Sequence, residues 1–232
     1  MSGTDAAVMH HTLAVEGGAL PVTVARGAAT GAAVVVMPSA FGVGPDLEAQ
    51  LVELTTDARL VVAIDPFFRD DPGIVPFGDM ARVMARIRGL DLQRTRRDLQ
   101  TALDWARAET GGGPVVVVGI CFGGIFALLA AADGAVDGVV TWHGSRMETY
   151  LSRAAEVRCP LHLHFGSIDP VVPPAAVAAI QAAFADRHDA VITVHEGATH
   201  GFSHRSAPAY QAVAEQAGMA SVRALVRGVA AG

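Results

Sequence analysis

The chain has 232 residues, of which 51% are hydrophobic and 17% charged, and its formal net charge is −6 at neutral pH. This composition excludes a disordered protein, and the acidic balance excludes the basic surface that nucleic acids or anionic membranes require. The length suits one α/β domain, so we predict a single domain over residues 1–232.

The sequence carries no sign of export, of a membrane span or of a metal motif. No apolar run reaches the roughly 18 residues of a span, and residues 1–11 lack the basic start and apolar core of a signal peptide. Cys121 and Cys159 are too few for a disulfide framework, so we expect a cytoplasmic protein. The pair His200 and His204 lies in a loop without the glutamate of a zinc helix, so we expect no metal.

In chain order, the residue pattern predicts a hairpin and then strands alternating with helices. Residues 12–15 and 20–24 flank a Gly-Gly pair and predict an antiparallel hairpin at a sheet edge. Apolar runs predict buried strands at 32–37, 60–64, 115–118, 136–142, 160–165 and 190–194, and helices are predicted at 45–58, 78–88, 90–110, 125–132, 146–156, 173–187 and 208–229. This alternation predicts a mostly parallel sheet of about seven or eight strands, with helices on both faces.

The strand at 115–118 leads directly into the motif Gly119-x-Cys121-x-Gly123 and then into a helical run. Strand, sharp turn and helix form the context of a nucleophile elbow, with a thiol in place of the usual serine. Glycines suit such a turn because a flanking Cβ would collide with the neighbouring elements, and the helix N-terminus favours a thiolate. A tight glycine turn with a cysteine that serves only as a small hydrophobe is the alternative.

Two further residues lie just past predicted strands. Asp169 follows the strand at 160–165, and His200 follows the strand at 190–194. Alone, the aspartate could be a turn or cap residue. Together with Cys121, they fall in the order nucleophile, acid, histidine, which is the order of an α/β-hydrolase triad.

The chain resembles the dienelactone hydrolase family of α/β-hydrolases over residues 12–228. The resemblance rests on the Gly-x-Cys-x-Gly-Gly elbow, the Phe-Gly-Val loop at residues 41–43, the Gly-x-x-Asp-Pro-x-Val-Pro turn and the Gly-x-x-His-Gly-Phe loop. It implies an α/β-hydrolase fold and a monomer that hydrolyses a small ester or lactone through a thioester, without cofactor. The backbone N–H groups of Phe122 and Ala40 would form the oxyanion hole.

The sequence departs from the family at several positions near the expected site. Ser39 stands where the family has a glutamate, and His143 stands where it has a tyrosine. The family binds a substrate carboxylate with two arginines. His204, followed by Arg205, stands at the second of these positions, and Arg82 and Arg86 are the nearest candidates for the first, without a clean match. The candidates for contact with substrate are Ser39, Phe41, Arg82, Arg86, His143, His204 and Arg205. The arginines could equally face solvent, and His143 could be a buried structural histidine. We therefore expect a substrate other than the usual dienelactone.

Two other functions are compatible with the sequence. The same fold could serve as a binding or regulatory protein whose altered site acylates and then stalls. A redox or thiol-transfer role is less favoured, because no second cysteine lies near Cys121 in sequence to resolve a disulfide.

Overall fold

All eight strands lie in one sheet, in the order β1-β2-β4-β3-β5-β6-β7-β8, in a computed structural model that describes residues 7–29 and 31–231. The hairpin formed by β1 and β2 pairs antiparallel at one edge, and the strands from β3 onward run parallel. The strands are β1 Met9–Val15, β2 Gly18–Arg26, β3 Ala33–Met37, β4 Leu60–Ile64, β5 Val115–Ile120, β6 Gly138–Trp142, β7 Leu161–Gly166 and β8 Ala190–His195.

Helices cover both faces of this sheet, which confirms the predicted architecture. They are α1 Pro45–Leu54, α2 Met80–Gly89, α3 Leu92–Glu109, α4 Gly123–Ala132, α5 Pro174–Ala183 and α6 Ala212–Ala230, with a 3-10 helix at Met147–Glu156. Helices α3, α4 and α5 contribute to one hydrophobic core, and α1 and α6 contribute to the other. Within residues 7–29 and 31–231, no helix combines the length and the apolar character needed to cross a membrane.

The central strand β5 shows why an unbroken apolar run predicts a strand that is buried on both faces. Val115 and Val117 pack into the core beneath α3 and α4, whereas Val116 and Val118 pack into the core beneath α1 and α6. Because successive side chains of a strand point to opposite faces, a strand covered on both sides needs apolar residues at every position.

Several boundaries differ from the sequence-based expectation. The helix expected over 45–58 ends at Leu54, because residues 55–58 form turns that lie against Gly27. The helix expected from residue 208 begins at Ala212, since the Gln211 N–H donates to the carbonyl of Phe202 and ties this segment to the core. The segment at Met147–Glu156 is a 3-10 helix rather than an α-helix.

The topology brings five loops to one edge of the sheet. The carboxyl ends of β3, β5, β6, β7 and β8 all point the same way because these strands are parallel. Loops at this edge are the usual ligand sites of α/β sheets. The segments after these strands therefore meet, although they are far apart in sequence.

The turn after β5 depends on glycines for steric reasons. A Cβ on Gly119 would lie 2.5 Å from the carbonyl oxygen of Gly123 and 2.9 Å from the Cβ of Ala127. A Cβ on Gly123 would lie 2.4 Å from the carbonyl oxygen of Met37. Strand β5, helix α4 and strand β3 can approach this closely only because both positions lack a side chain.

We expect Gly119→Ala to lower the free energy of unfolding by about 1–3 kcal/mol, since backbone atoms must move to admit the methyl group. The control is Gly228→Ala, in α6, where a Cβ would meet nothing within 4 Å. Alanine should stabilise that exposed helix position by about 0.5–1 kcal/mol. Urea unfolding measures both values, and equal stabilities for the two variants would contradict the steric argument.

Candidate active site

Cys121 lies at the tip of a strained turn between β5 and α4. Its φ is +57°, a left-handed conformation that is uncommon for a residue with a side chain. Three backbone hydrogen bonds hold it there: its N–H donates to Trp142 over 3.1 Å, and its carbonyl accepts from Gly124 at 3.0 Å and from Ser145 at 2.9 Å. Such strain costs about 1–3 kcal/mol and is typical of positions that carry chemistry.

A hydrogen-bonded relay links the sulfur to a buried carboxylate. The Nε2 atom of His200 lies 3.1 Å from the Sγ atom of Cys121, and its Nδ1 atom lies 2.9 Å from an oxygen of Asp169. The other oxygen of Asp169 accepts hydrogen bonds from the backbone N–H groups of Val171 at 2.7 Å and Val172 at 3.0 Å. The carboxylate is thus fixed in position and can hold the imidazole in one orientation.

The relay sets the protonation of both partners. Burial raises the pKa of the Cys121 thiol, but the hydrogen bond and the charge of His200 outweigh it and leave the pKa below its ordinary value. Burial lowers the pKa of His200, yet the hydrogen bonds that its ring donates to Asp169 and Cys121 reverse this and raise that pKa well above its ordinary value. Both directions favour a thiolate beside an imidazolium.

Two groups next to the sulfur complete its immediate surroundings. The backbone N–H of Phe122 and the Ser145 hydroxyl, which lies 4.0 Å from the sulfur, both help to lower the pKa of the thiol. Ser145 is buried just past β6 and did not stand out in the sequence. Its signal was the one that located Asp169 and His200, namely a polar residue soon after a buried strand.

The loop after β3 places a backbone turn opposite the elbow. Ser39 is buried, and its hydroxyl accepts a hydrogen bond of 3.4 Å from the N–H of Phe41. The carbonyl of Ser39 accepts from the N–H of Gly42, whose φ is +85°. The carbonyl of Ala40 accepts from the Nη1 atom of Arg86 at 3.0 Å. Ser39 therefore shapes this loop through its own backbone contacts.

The structure ties both candidate arginines to one carboxylate. Arg82 binds Asp71 with two of its nitrogens, and the Nε atom of Arg86 lies 2.8 Å from the same carboxylate. The side chain of Arg86 is completely buried, and it also donates to the carbonyls of Ala40, Asp71 and Gly73. These hydrogen bonds hold the pKa of Asp71 well below its ordinary value. Both guanidinium groups are thus committed to the protein itself.

Two further histidines stand beside the relay. The His143 ring is buried 4.7 Å from the His200 ring, and its Nε2 atom lies 2.9 Å from the Ser203 hydroxyl. The His204 ring lies 5.5 Å from that of His143. Burial, together with the charge of His200, lowers the pKa of His143 well below its ordinary value and that of His204 to about 4. Both are therefore neutral near pH 7.

Arg205 belongs to a different cluster. Its guanidinium lies 2.9 Å from a carboxylate oxygen of Glu53 and 2.6 Å from one of Glu215. Glu215 also accepts from Gln50, so the group forms a half-buried polar network beneath α1 and α6. Although Arg205 follows His204 in sequence, its guanidinium binds Glu53 and Glu215 rather than a residue of the relay.

Three residues of the site could hold a metal ion. Cys121, His143 and His200 each offer one ligand atom, and these atoms lie within 4.8 Å of one another. Thiolate and imidazole are ligands that suit Zn²⁺. An ion here would occupy the sulfur and imidazole of the relay, so metal binding and nucleophilic chemistry would compete for the same groups. Because the three residues are distant in sequence, no motif indicated this cluster.

Comparison with known proteins identifies the family. The model of the dienelactone hydrolase family matches residues 20–228. The chain belongs to this family. The carboxymethylenebutenolidase of Pseudomonas putida is 30% identical over 197 residues, which cover 83% of each chain. The corresponding enzyme of Pseudomonas sp. strain P51 is 30% identical over 183 residues, which cover 77% of this chain and 76% of the relative.

Solved structures of family members share the fold. The dienelactone hydrolase of Anabaena variabilis superposes with a TM-score of 0.72 at 19% identity, covering 97% of this chain and 99% of the other. A dienelactone hydrolase-like promiscuous phosphotriesterase from metagenomic libraries gives 0.77 at 22% identity, covering 96% and 98%. These similarities confirm the α/β-hydrolase fold, and the family membership makes the protein a hydrolase.

The thiolate–imidazolium pair can be tested by alkylation with iodoacetamide at a series of pH values. Cys121 should react at pH values below the ordinary thiol pKa of about 8.5. In His200→Ala the midpoint should rise above that value, because burial then acts without compensation. Cys159 serves as an internal control, since burial raises its pKa to about 11. Site-resolved mass spectrometry reports both rates, and an unchanged midpoint in His200→Ala would contradict the pairing.

Proposed function

We propose that the protein hydrolyses carboxylic esters or lactones with a catalytic triad of Cys121, His200 and Asp169. The observation that carries the proposal is the continuous relay of 3.1 Å and 2.9 Å from the sulfur through the imidazole to the carboxylate. Each of the three residues follows a different parallel strand, and the sulfur sits on a strained turn. This arrangement matches the nucleophile, base and orienting acid of α/β-hydrolases.

In the first half-reaction, the Cys121 thiolate attacks the ester carbonyl carbon and forms a tetrahedral intermediate with a negative oxygen. The backbone N–H groups of Phe122 and Ala40 donate hydrogen bonds to that oxygen. The intermediate collapses by breaking the bond to the alcohol oxygen, which takes the proton from the His200 imidazolium. The acyl group remains on the sulfur as a thioester.

In the second half-reaction, neutral His200 removes a proton from water, and the resulting hydroxide attacks the thioester. Collapse breaks the carbon–sulfur bond, releases the carboxylic acid and restores the thiolate–imidazolium pair. Asp169 stabilises the imidazolium in both steps, since its second oxygen is anchored by two backbone N–H groups. The chemistry needs no cofactor.

We assign Arg86 to positioning rather than to substrate. Its Nη1 atom donates to the carbonyl of Ala40, the residue whose N–H would stabilise the oxyanion. The same guanidinium is fixed by Asp71 and by the carbonyl of Gly73. A buried, fully bonded cation of this kind holds a loop in one conformation, and a displacement of that loop would weaken oxyanion stabilisation.

The substrate we propose is an ester or lactone other than the dienelactone typical of the family. Ser39 cannot serve as the carboxylate that the family resemblance places there, so His200 must activate the thiol directly. Arg82 and Arg86 are both bound to Asp71, and His204 stands at the second position of the expected carboxylate clamp. Two observations support a different substrate. Ser39 and His204 replace charged residues of the family, and Arg82 and Arg86 are already paired with Asp71.

The triad is tested with p-nitrophenyl acetate and three variants. We expect wild type to turn over, Cys121→Ala to lose both burst and turnover, and His200→Ala and Asp169→Asn to lose about 10²–10⁴-fold in kcat. Stopped-flow absorbance measures the burst and the steady state.

Cys159→Ala is the matched control, because it removes the other thiol and should retain wild-type kinetics. A burst in wild type without turnover would instead favour a stalled binding protein. The absence of both burst and turnover from wild type would overturn the proposal.

A further inference from the structure

A small cavity lies beside the elbow and the oxyanion loop, and the proposed chemistry does not use it. Its volume is about 220 Å³. Ser39 and Phe41 of the loop after β3 line it, together with Ile120, the residue before the nucleophile, and His204. A group in this cavity would therefore contact residues that directly precede the nucleophile and flank Ala40 in the chain.

The cavity walls are mainly apolar. The segment between β4 and α2 forms one side, and Phe41 lies against Phe77 with 4.8 Å between ring centroids. Ile74 and Phe77 are 53% and 37% exposed, so they border the opening to solvent. The apolar lining residues are Phe41, Leu47, Ile74, Val75, Phe77 and Ile120. Such walls favour the transfer of an alkyl group from water.

The charges around the cavity disfavour an anion. Among the described residues that line it, none is an arginine, and the chain contains no lysine. The candidate arginines already have partners: Arg82 and Arg86 bind Asp71, and Arg205 binds Glu53 and Glu215. The ionisable lining residues are Asp46, which accepts from the backbone N–H and hydroxyl of Ser206, and His204.

His204 is an uncharged polar residue of the cavity lining. Its Nε2 atom is buried and has no hydrogen-bond partner among the described residues. Because burial lowers the pKa of this imidazole to about 4, it is neutral near pH 7 and adds no positive charge to the cavity lining.

We propose that this cavity binds an uncharged, apolar substituent of the substrate, so that the enzyme prefers alkyl-substituted esters and lactones to those that carry a carboxylate. This inference rests on the proposed hydrolytic function and names the substrate class of that site. A carboxylate in the cavity would lose its hydration, gain no cation and approach the carboxylate of Asp46, whereas an alkyl group would gain from burial.

The direct test compares two lactones that differ in one group. γ-Valerolactone carries a methyl group where 5-oxotetrahydrofuran-2-carboxylate carries a carboxylate. We expect kcat/KM to be at least about tenfold higher for the methyl compound, and to rise about fourfold per added methylene in longer γ-alkyl lactones until the cavity is full. A pH-indicator assay follows acid release. An equal or reversed preference would overturn the inference.

Two variants locate the preference in the cavity. Gly44 borders the cavity, and a Cβ there would make an ordinary contact of 3.7 Å with Ile74, so Gly44→Leu should fill the space without a clash. In Gly44→Leu, kcat/KM should no longer rise with the length of the alkyl group, chiefly because KM no longer falls. Gly228→Leu places the same side chain where nothing lies within 4 Å and should leave the gain intact. If both variants retain the gain, the alkyl group binds elsewhere.

A cation placed in the cavity should change the preference. We expect His204→Arg to shift the methyl-to-carboxylate ratio of kcat/KM at least about tenfold toward the carboxylate. His188→Arg, at an exposed position outside the cavity lining, is the matched control and should not shift it. An unchanged ratio in His204→Arg would contradict the assignment of the cavity.

Failure of this inference can be separated from failure of the proposed function. If wild type hydrolyses p-nitrophenyl acetate but prefers the carboxylate lactone, only the inference is wrong. If wild type hydrolyses nothing, calorimetric titration of Cys121→Ala with γ-nonalactone and with the carboxylate lactone still tests the cavity. Tighter binding of γ-nonalactone would support the inference, and tighter binding of the carboxylate or no binding of either would oppose it.

Discussion

The left-handed backbone at Cys121 is the constraint on which the rest of the site depends. A strand that ran straight on would bury this side chain in the sheet, whereas a φ of +57° lifts the sulfur to the edge where the other loops meet. The turn is stable only because Gly119 and Gly123 leave room for backbone atoms within 2.5 Å of where a Cβ would stand. Hydrogen bonds to Trp142 and Ser145 then connect the elbow to the next strand end.

The relay converts this geometry into reactivity. Taken alone, burial would keep the Cys121 thiol protonated and His200 neutral. Their mutual hydrogen bond and charge, fixed by a carboxylate with its own backbone anchors, reverse both tendencies. Cys159 shows the contrast, because it is partly buried without such a partner and its pKa rises to about 11. The difference between the two thiols is therefore one of partners rather than of burial.

Asp71 pairs with the two guanidinium groups that the sequence offered as candidates for binding a substrate carboxylate. Its carboxylate binds two potential anion-binding groups, Arg82 and Arg86, and Arg86 also supports the loop that contains Ala40. The cavity beside that loop is left with apolar walls, the carboxylate of Asp46 and a neutral His204. In this member of the dienelactone hydrolase family, Arg82 and Arg86 are thus bound by the protein's own groups.

The sequence by itself determined the sheet and the three candidate triad positions, because buried parallel strands require unbroken apolar runs and each run is followed directly by its polar residue. It indicated Cys121, Asp169 and His200 as neighbours through topology alone. Only the tertiary structure decided what Arg82, Arg86 and Arg205 bind, since a long flexible side chain takes its partner from residues far away in sequence. The sequence indicated Ser39, Phe41 and His204 as candidates for substrate contact, and all three line the cavity. The shape of the cavity required the tertiary structure, because residues 74–77, helix α1 and the end of β5 complete its walls and no local pattern records the space between them.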